Sequence, residues 1–469
     1  MEIIIENKIR LKKAPGNLKD RLINDLRFPN PKYEEAVVAG RSVYRIPPLI
    51  HNFEILPDDS LCIPRGYRSN LYGIMKDFGV TADIITDNRM RFDPICDMNS
   101  SMIQYRPYQY KAVMDLVKSE EGVLVAPAGS GKTVIGLSLV PLFGQPTLWL
   151  THTGPLADQA IERIAQFLPS LSKDDVGFIG RSKWKMGNVI TVAMVQTFAR
   201  RLKDLHKIRD AFGLVILDEA HHCPASTFFK VIGCFNPYYL YGLTATPYRR
   251  DKLENLMFQT LGDTVASITV EELEKSESII IPRVKYKSFY HNKMIQENQP
   301  SKLLKDYIIF NDRRNHMIVG DVLIEAAAGN YCIVLSDRKA HCEILYNLIS
   351  IGWNKTSIAT GNLTKKENTE QIGKLIRGET TVLVCTNQLL GEGFDFAPLN
   401  RAFIASPFRF EGKCEQVVGR IQRISPGKTD AIVYDYVDTN IGVFKNQFYG
   451  KGSCRFKAYD RLGALIEPC

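Results

Sequence analysis

Gly122-Val123-Leu124-Val125-Ala126-Pro127-Ala128-Gly129-Ser130-Gly131-Lys132-Thr133 is the stretch on which the reading of this chain turns. An apolar run opens it, a glycine-rich turn follows, and Lys-Thr stands where an apolar helix begins. This is a P-loop in the strand-loop-helix setting it requires. The glycines let consecutive backbone N–H groups and the helix N-terminus face a phosphate. Lys132 adds a point charge near the β and γ phosphates, and Thr133 offers a hydroxyl to Mg²⁺. Ala126 occupies the first position, where the general pattern has Gly. Ala128, Gly129, Ser130, Gly131, Lys132 and Thr133 are therefore the expected nucleotide cradle.

Around this loop the texture is regular. Apolar runs at 122–126, 147–150, 189–192, 214–217 and 241–243 alternate with helical patterns, which predicts βαβ units and a parallel sheet. A charged interval, 271–314, separates them from a second alternation. There, strands are expected at 331–335, 381–384, 401–405 and 431–434, and helices at 340–351 and 415–423. Residues 1 to about 100 are rich in turn formers, Pro29, Pro31, Pro47, Pro48, Pro57 and Pro64 among them. They read as a small α+β domain. The expected plan is an N-terminal domain (1–100), two α/β lobes in tandem (101–275 and 276–441) and a short aromatic and basic tail (442–469).

Composition narrows the class. A chain of 469 residues with 45% hydrophobic and 24% charged residues is a globular protein of several domains, not a disordered or fibrous one. Its net charge of +9 favours an anionic partner such as nucleic acid. The ten cysteines are scattered without a CxxC pair, which suits a reducing cytoplasm. His221-His222-Cys223 has no second ligand cluster to close a zinc site. Glu2 and Glu6 near the start argue against a secretory leader. The uncharged stretch 133–157 is long enough for a membrane span, but Pro141, Gly144, Gln145 and Pro146 break it into helix, turn and strand.

Two further constellations complete a phosphoryl-transfer site. The apolar run 214–217 ends in Asp218-Glu219-Ala220-His221. A carboxylate at the end of a buried strand, Asp218, can reach Mg²⁺ held by the P-loop, and Glu219 beside it can take a proton from attacking water. Far downstream, Gln416, Arg420 and Arg423 fall at helical spacing. On a helix they share one face, the arginines able to stabilise a γ-phosphate and Gln416 to orient water.

Together these residues resemble the superfamily 2 helicases, over roughly 105–438, and within them the XPB/UvsW-like branch that includes phage-encoded branch-migration helicases. The resemblance implies two RecA-like lobes, ATP with Mg²⁺, and adenine contacts from Arg106 and Gln109 in Arg106-Pro107-Tyr108-Gln109. It implies coupling through His221 and through Thr244 and Thr246 of Gly242-Leu243-Thr244-Ala245-Thr246-Pro247. Gly391 and Asp395, within 387–395, are expected near the ribose and the lobe interface. Gln416-Val417-Val418-Gly419-Arg420-Ile421-Gln422-Arg423 matches the family's QxxGRxxR helix. Nucleic-acid contacts would fall on Thr151, Gly154, Gln196 and Thr197 in the first lobe, and on Ser336, Arg338, Thr360 and Thr386 in the second. Basic clusters at 181–185, 200–203 and 248–250 are either solvated surface or added charge and aromatic platform.

The implied partner is DNA, single-stranded and branched, rather than RNA. The implied setting is a monomer acting on DNA in the cytoplasm, the host's if the chain is phage-encoded, with no membrane. A four-way junction exchanges equivalent pairs at each step, whereas unwinding a duplex costs about 1.4 kcal/mol of stacking per step. A compact motor suits the former. Alternatives are the motor subunit of a restriction-type translocase, an RNA helicase, or a binding module whose ATP site is inert.

Overall fold

The computed structural model describes residues 1–96, 101–220, 225–245, 253–292, 299–387, 396–408, 411–450 and 454–469. It divides into two units, Met1–Pro127 with Gly131–Ile268, and Ala128–Ser130 with Thr269–Cys469.

The first unit begins with a sheet whose faces are set by simple alternation. In β1 (Glu2–Ile5) and β2 (Lys8–Lys12), Ile3, Ile5, Ile9 and Leu11 are buried while the intervening residues stay at least partly exposed. That is the period-2 pattern of a sheet covered on one face. The antiparallel register places Ile3 opposite Leu11 and Ile5 opposite Ile9. A small pair, β3 (Arg27–Pro29) and β4 (Leu49–His51), stands apart. Next, β5 (Glu54–Ile55), β6 (Leu61–Pro64) and β7 (Ile84–Asp87) complete the order β5-β6-β2-β1-β7. Leu18 and Leu22 from the helix Gly16–Asp25, and Leu71, Ile74 and Met75 from Arg68–Asp77, close the core. Each such side chain contributes about 1.5–3 kcal/mol on full burial.

This layer is joined to the rest of the unit by arginines. Arg65 donates to Glu121 Oε2 (2.6 Å) and to the carbonyls of Pro237 (2.5 Å) and Tyr238 (3.0 Å). Arg68 and Arg89 both reach Glu120 Oε2, at 2.6 and 2.8 Å. Arg65 and Glu121 are buried together, so removing one partner strands the other charge away from water. Arg65→Ala is expected to lower stability by about 3–5 kcal/mol, measured as a shift of the urea midpoint. A double variant that also replaces Glu121 by Gln should recover part of that loss.

The same unit carries the sheet of β8 (Glu121–Val125), β9 (Thr147–Thr151), β10 (Val176–Gly180), β11 (Lys183–Lys185), β12 (Ile190–Met194), β13 (Leu214–Asp218), β14 (Tyr239–Thr244) and β15 (Thr264–Ser267). Their order is β11-β10-β12-β9-β13-β14-β8-β15. Every neighbouring pair is parallel except the β10/β11 hairpin. Strands such as β9 and β13 are buried at every position, as a parallel sheet covered on both faces requires. The uncharged stretch resolves into the helix Lys132–Phe143, a left-handed Gly144 that ends it, and β9. Among the described residues no helix is long and apolar enough to cross a membrane.

In the second unit β16 (Arg283–Phe289), β17 (Cys332–Ser336), β18 (Thr356–Ala359), β19 (Val382–Thr386), β20 (Arg401–Ile404), β21 (Ile432–Asp438) and β22 (Leu465–Pro468) form a sheet ordered β18-β19-β17-β20-β21-β16-β22. All its pairs are parallel. Two segments differ from the sequence reading. The charged interval holds β16, whose Arg-Val-Lys-Tyr-Lys-Ser-Phe buries Val284 and Phe289 and leaves both lysines half-buried. The residues set apart as a tail form the helices Gly442–Tyr449 and Arg455–Arg461, and then β22 at the sheet edge. Arg455 is fully buried and bidentate to Asp435 (2.8 and 3.0 Å), with Tyr459 Oη donating to the same carboxylate. The fold as a whole is the expected α/β one, with a parallel sheet in each unit.

Candidate functional site

Register alone brings the first unit's chemistry together. β13, β14 and β8 are neighbours, Asp218 pairs with Leu243, and Thr244 pairs with Val125. The carboxyl ends of three strands thus carry Asp218, Thr244 and the start of the P-loop, and Ala126 N donates to Thr244 O (2.9 Å). In the loop, Gly129 and Gly131 have φ of 86° and 82°, the left-handed region that glycine enters without cost. Lys132 opens the following helix, and its ammonium donates to Ala126 O (3.0 Å) and Pro127 O (3.5 Å). Glu219 Oε1 lies 3.8 Å from the same nitrogen. Glu219 itself has φ of 51°, an uncommon conformation for a side-chain-bearing residue of the kind that clusters at functional sites.

Asp218 is buried. Burial, and then the neighbouring Glu219 carboxylate, push its carboxyl up to about 7, with Lys132 opposing the shift. Gln109 belongs to this assembly too. It caps the helix Pro107–Val117 by accepting from Arg106 N (3.0 Å), and a β-carbon at Gly131 would collide with its Nε2. Arg106 donates to Tyr108 Oη (3.2 Å). Both adenine candidates therefore sit at one helix start, with Gln109 against the phosphate loop.

The first unit's nucleic-acid candidates also lie at strand ends. Thr151 closes β9 fully buried, its hydroxyl donating to Thr153 O (3.4 Å). Gly154 starts the helix Gly154–Phe167, where a β-carbon would enter the Arg181 guanidinium. Gln196 and Thr197 lie in Val195–Arg200 after β12, and Gln196 Oε1 is buried without a hydrogen-bond partner among the described residues. Three of the six basic residues at 181–185 and 200–203 have a carboxylate partner among the described residues. Arg181 pairs with Asp158 (2.6 Å), Lys185 with Asp174 (3.0 Å) and Arg201 with Asp204 (2.7 Å) while lying over Trp184.

In the second unit Ser336 pairs with Thr386 in register, and Thr360 follows the adjacent β18. Ser336 and Thr360 are buried, and their hydroxyls serve the fold. Ser336 Oγ meets His341 Nδ1 (3.0 Å) and accepts from Arg338 N (3.2 Å), while Thr360 Oγ1 accepts from Asn362 N (3.3 Å). Arg338 is exposed and Thr386 half-buried. Asn387, the first residue of the stretch 387–395, donates to Asp337 Oδ1 (2.8 Å) beside Arg338.

The arginine segment needs a correction. Its helix, Glu411–Ile421, buries Cys414, Val417, Val418 and Ile421 and leaves Gln416 and Arg420 half-buried on the other side, as a 3.6-residue period demands. Arg423 is not on that helix. It lies beyond the end, in an antiparallel bridge with Ile279, and Ile280 N donates to Gln422 O (2.8 Å). The shared helical face expected for Arg420 and Arg423 is replaced by a helix end and a strand-like step. His221, Thr246, Gly391, Asp395 and the cluster 248–250 lie outside the described residues.

Residues 102–249 match the family described as "Type III restriction enzyme, res subunit", and residues 314–425 match the helicase conserved C-terminal domain. The chain is 30% identical over 210 residues to DNA 3'-5' translocase XPB2 of Sulfurisphaera tokodaii, covering 44% of this chain and 45% of that protein. The chain belongs to the superfamily 2 helicases, and its sequence is similar to their XPB members. A mimivirus protein (Acanthamoeba polyphaga mimivirus) named as an ATP-dependent RNA helicase is 27% identical over 355 residues, 73% of this superfamily 2 chain and 66% of that one. The chain thus spans just under two thirds of the mimivirus protein and under half of the XPB2 protein. The structure of S. cerevisiae Dbp5 bound to RNA and ADP BeF3 shares the fold, with TM-score 0.57 and 15% identity over 78% of this chain and 90% of that one.

The two matched segments of this superfamily 2 chain contain every individually named candidate residue. Residues 1–101, 250–313 and 426–469 lie outside both. The donors suit Mg²⁺. Asp218 and the Thr133 hydroxyl are hard oxygen ligands of the type that cation takes, and a buried carboxyl held up by a second carboxylate is one that a divalent charge would relieve. Bound there, Mg²⁺ would supply neutralisation of phosphate charge.

Proposed function

We propose that the chain hydrolyses ATP and uses the cycle to translocate along DNA, acting on forks and four-way junctions. The observation that carries this reading is the alignment of Lys132, Asp218, Glu219 and Thr244 at the ends of three adjacent strands. The roles follow from the chemistry. Lys132 exchanges its loop carbonyls for phosphate oxygens, Glu219 takes the proton of attacking water, and Asp218 with Thr133 holds the cation. Arg106 and Gln109 read the base, as Gly391 and Asp395 would read the ribose. Gln416, Arg420 and Arg423 orient water and stabilise transferred charge, the roles the resemblance implies for them. ATP and its products favour different conformations, and that difference is what the cycle turns into movement.

Exposed Arg338 and half-buried Thr386, with Thr197 in the first unit, are the side chains best disposed for backbone contact. Ser336 and Thr360 act by holding their loops. Backbone contact without base readout predicts salt sensitivity. The logarithm of single-strand affinity should fall with log salt at a slope of about −0.7 per phosphate neutralised, read by fluorescence anisotropy. A flat dependence removes the nucleic-acid reading.

Two observations favour second readings, an RNA substrate from the mimivirus relative's name and a restriction-type motor from the first-lobe family description. One experiment separates them, ATP turnover with single-stranded DNA, RNA, a fork, a blunt duplex and a four-way junction. The proposal expects stimulation by DNA and branch migration faster than blunt unwinding. Stimulation by RNA alone, or equal rates on blunt and branched duplexes, overturns it.

A further inference from the structure

Just past the arginine helix the chain reads Ser425-Pro426-Gly427-Lys428. Proline at the second position, glycine at the third with φ of 77°, and a hydrogen bond from Lys428 N to Ser425 O (3.1 Å) are the features of a type II turn. The turn reverses the chain and carries Lys428 back toward the helix end. There its ammonium donates to three backbone carbonyls, those of Leu399 (2.6 Å), Arg423 (2.8 Å) and Ala397 (3.0 Å). An ammonium has three N–H donors, so all are used.

No carboxylate among the described residues lies within ion-pair distance of Lys428. The nearby Asp430 is bound to Arg401 instead, at 2.7 and 3.0 Å. Burial, and then the Arg423 guanidinium, push Lys428 down to about 7. A lysine in such surroundings has little to gain from its charge except what the three carbonyls return.

The three acceptors belong to different parts of the unit. Ala397 and Leu399 follow directly on the 387–395 motif, and Arg423 is the residue that leaves the helix for its bridge to Ile279. Arg423 is thereby held at its carbonyl by Lys428 and through its backbone by the bridge to Ile279, with Ile280 bonded to the preceding carbonyl. We propose that Lys428 is a positioning residue for hydrolysis, a three-carbonyl clamp that fixes the Arg423 backbone to the loop at 397–399 so that the guanidinium is aimed before ATP arrives. It touches no substrate and acts through Arg423, and this role rests on the ATPase reading above.

Lys428→Met keeps the length of the side chain and removes the donors. A misplacement of about 1 Å costs about 10²-fold in rate, so kcat is expected to fall about 10- to 100-fold while KM for ATP changes less than about twofold. Amide hydrogen exchange at 396–399 and 422–425 should quicken, with the amides of the β17 and β20 strands unchanged. The exchange measurement needs no turnover, so it judges the clamp even if the parent protein fails to hydrolyse ATP, the result that would instead sink the ATPase reading. Parental kcat in a hydrolysing protein, kcat and strand protection lost together, or unchanged exchange at both segments each overturns the assignment.

Discussion

Lys132→Ala is expected to bring ATP turnover to background, and Glu219→Gln to leave ATP bound but unhydrolysed. The two lesions differ because the residues serve different moments. Lys132 is held over its own loop by Ala126 O and lies 3.8 Å from Glu219, a cation poised where phosphate oxygens would replace those partners. Its loss removes a charge from a site where preorganised charges act with little reorganisation, for which about 10³ in kcat, or about 4 kcal/mol, is the usual scale. It also removes the cation that opposes the rise of Asp218, so that carboxyl would hold its proton more firmly and bind Mg²⁺ less well. Lys132→Ala should therefore weaken nucleotide binding as well as stop chemistry. Glu219→Gln preserves shape and removes only the proton acceptor. Filter binding of ATP beside a phosphate-release assay distinguishes the two, and a Glu219→Gln protein that releases phosphate at the parental rate would dismiss the base assignment.

The P-loop was legible because its constraints are local. Glycines with positive φ, a lysine at the helix start and an apolar strand before it all lie within a dozen residues. Asp218 and Thr244 were legible as strand ends, and register between neighbouring strands then set them beside the loop. What escaped depends on distant partners. The helix bearing Arg420 stops at Ile421 because Ile279 and Ile280 capture the next residues, and helical spacing cannot register a competitor so far away in the chain. β16 was hidden because Arg283, Lys285 and Lys287 interrupt its apolar positions, and Lys287 is kept half-buried by Asp321 (2.6 Å), a partner far away in the chain. The last strand, β22, is four residues long and mostly exposed at the edge, and the Arg455–Asp435 pair that anchors the helix before it is a tertiary fact. Ser336 and Thr360 look like free hydroxyls in the sequence, and only the fold shows them spent on His341, Arg338 and Asn362. The join between the N-terminal sheet and β8 through Arg65 and Glu121 left no periodic trace either.

Arg423→Ala carries the second large effect, a drop in kcat of about 10³- to 10⁵-fold, the range attributed to arginine fingers in phosphoryl transfer, with KM for ATP little changed. The split is the informative part. A guanidinium that bound ground state and transition state alike would raise KM on removal, whereas one that meets only the charge developing on the γ-phosphoryl group lowers kcat. Arg420→Ala offers the internal comparison. Arg420 sits on the helix, on the face opposite buried Val417, Val418 and Ile421, while Arg423 hangs from a backbone step fixed by Ile279 and Lys428. If the two arginines act as one device, the double variant should lose no more than about the larger single loss, because effects of residues that work as a unit do not add. Multiplying losses would mean two independent contributions, one from each backbone support. Single-turnover phosphate release on the parent, both single variants and the pair measures this directly, and parental turnover in Arg423→Ala would remove the finger from the mechanism.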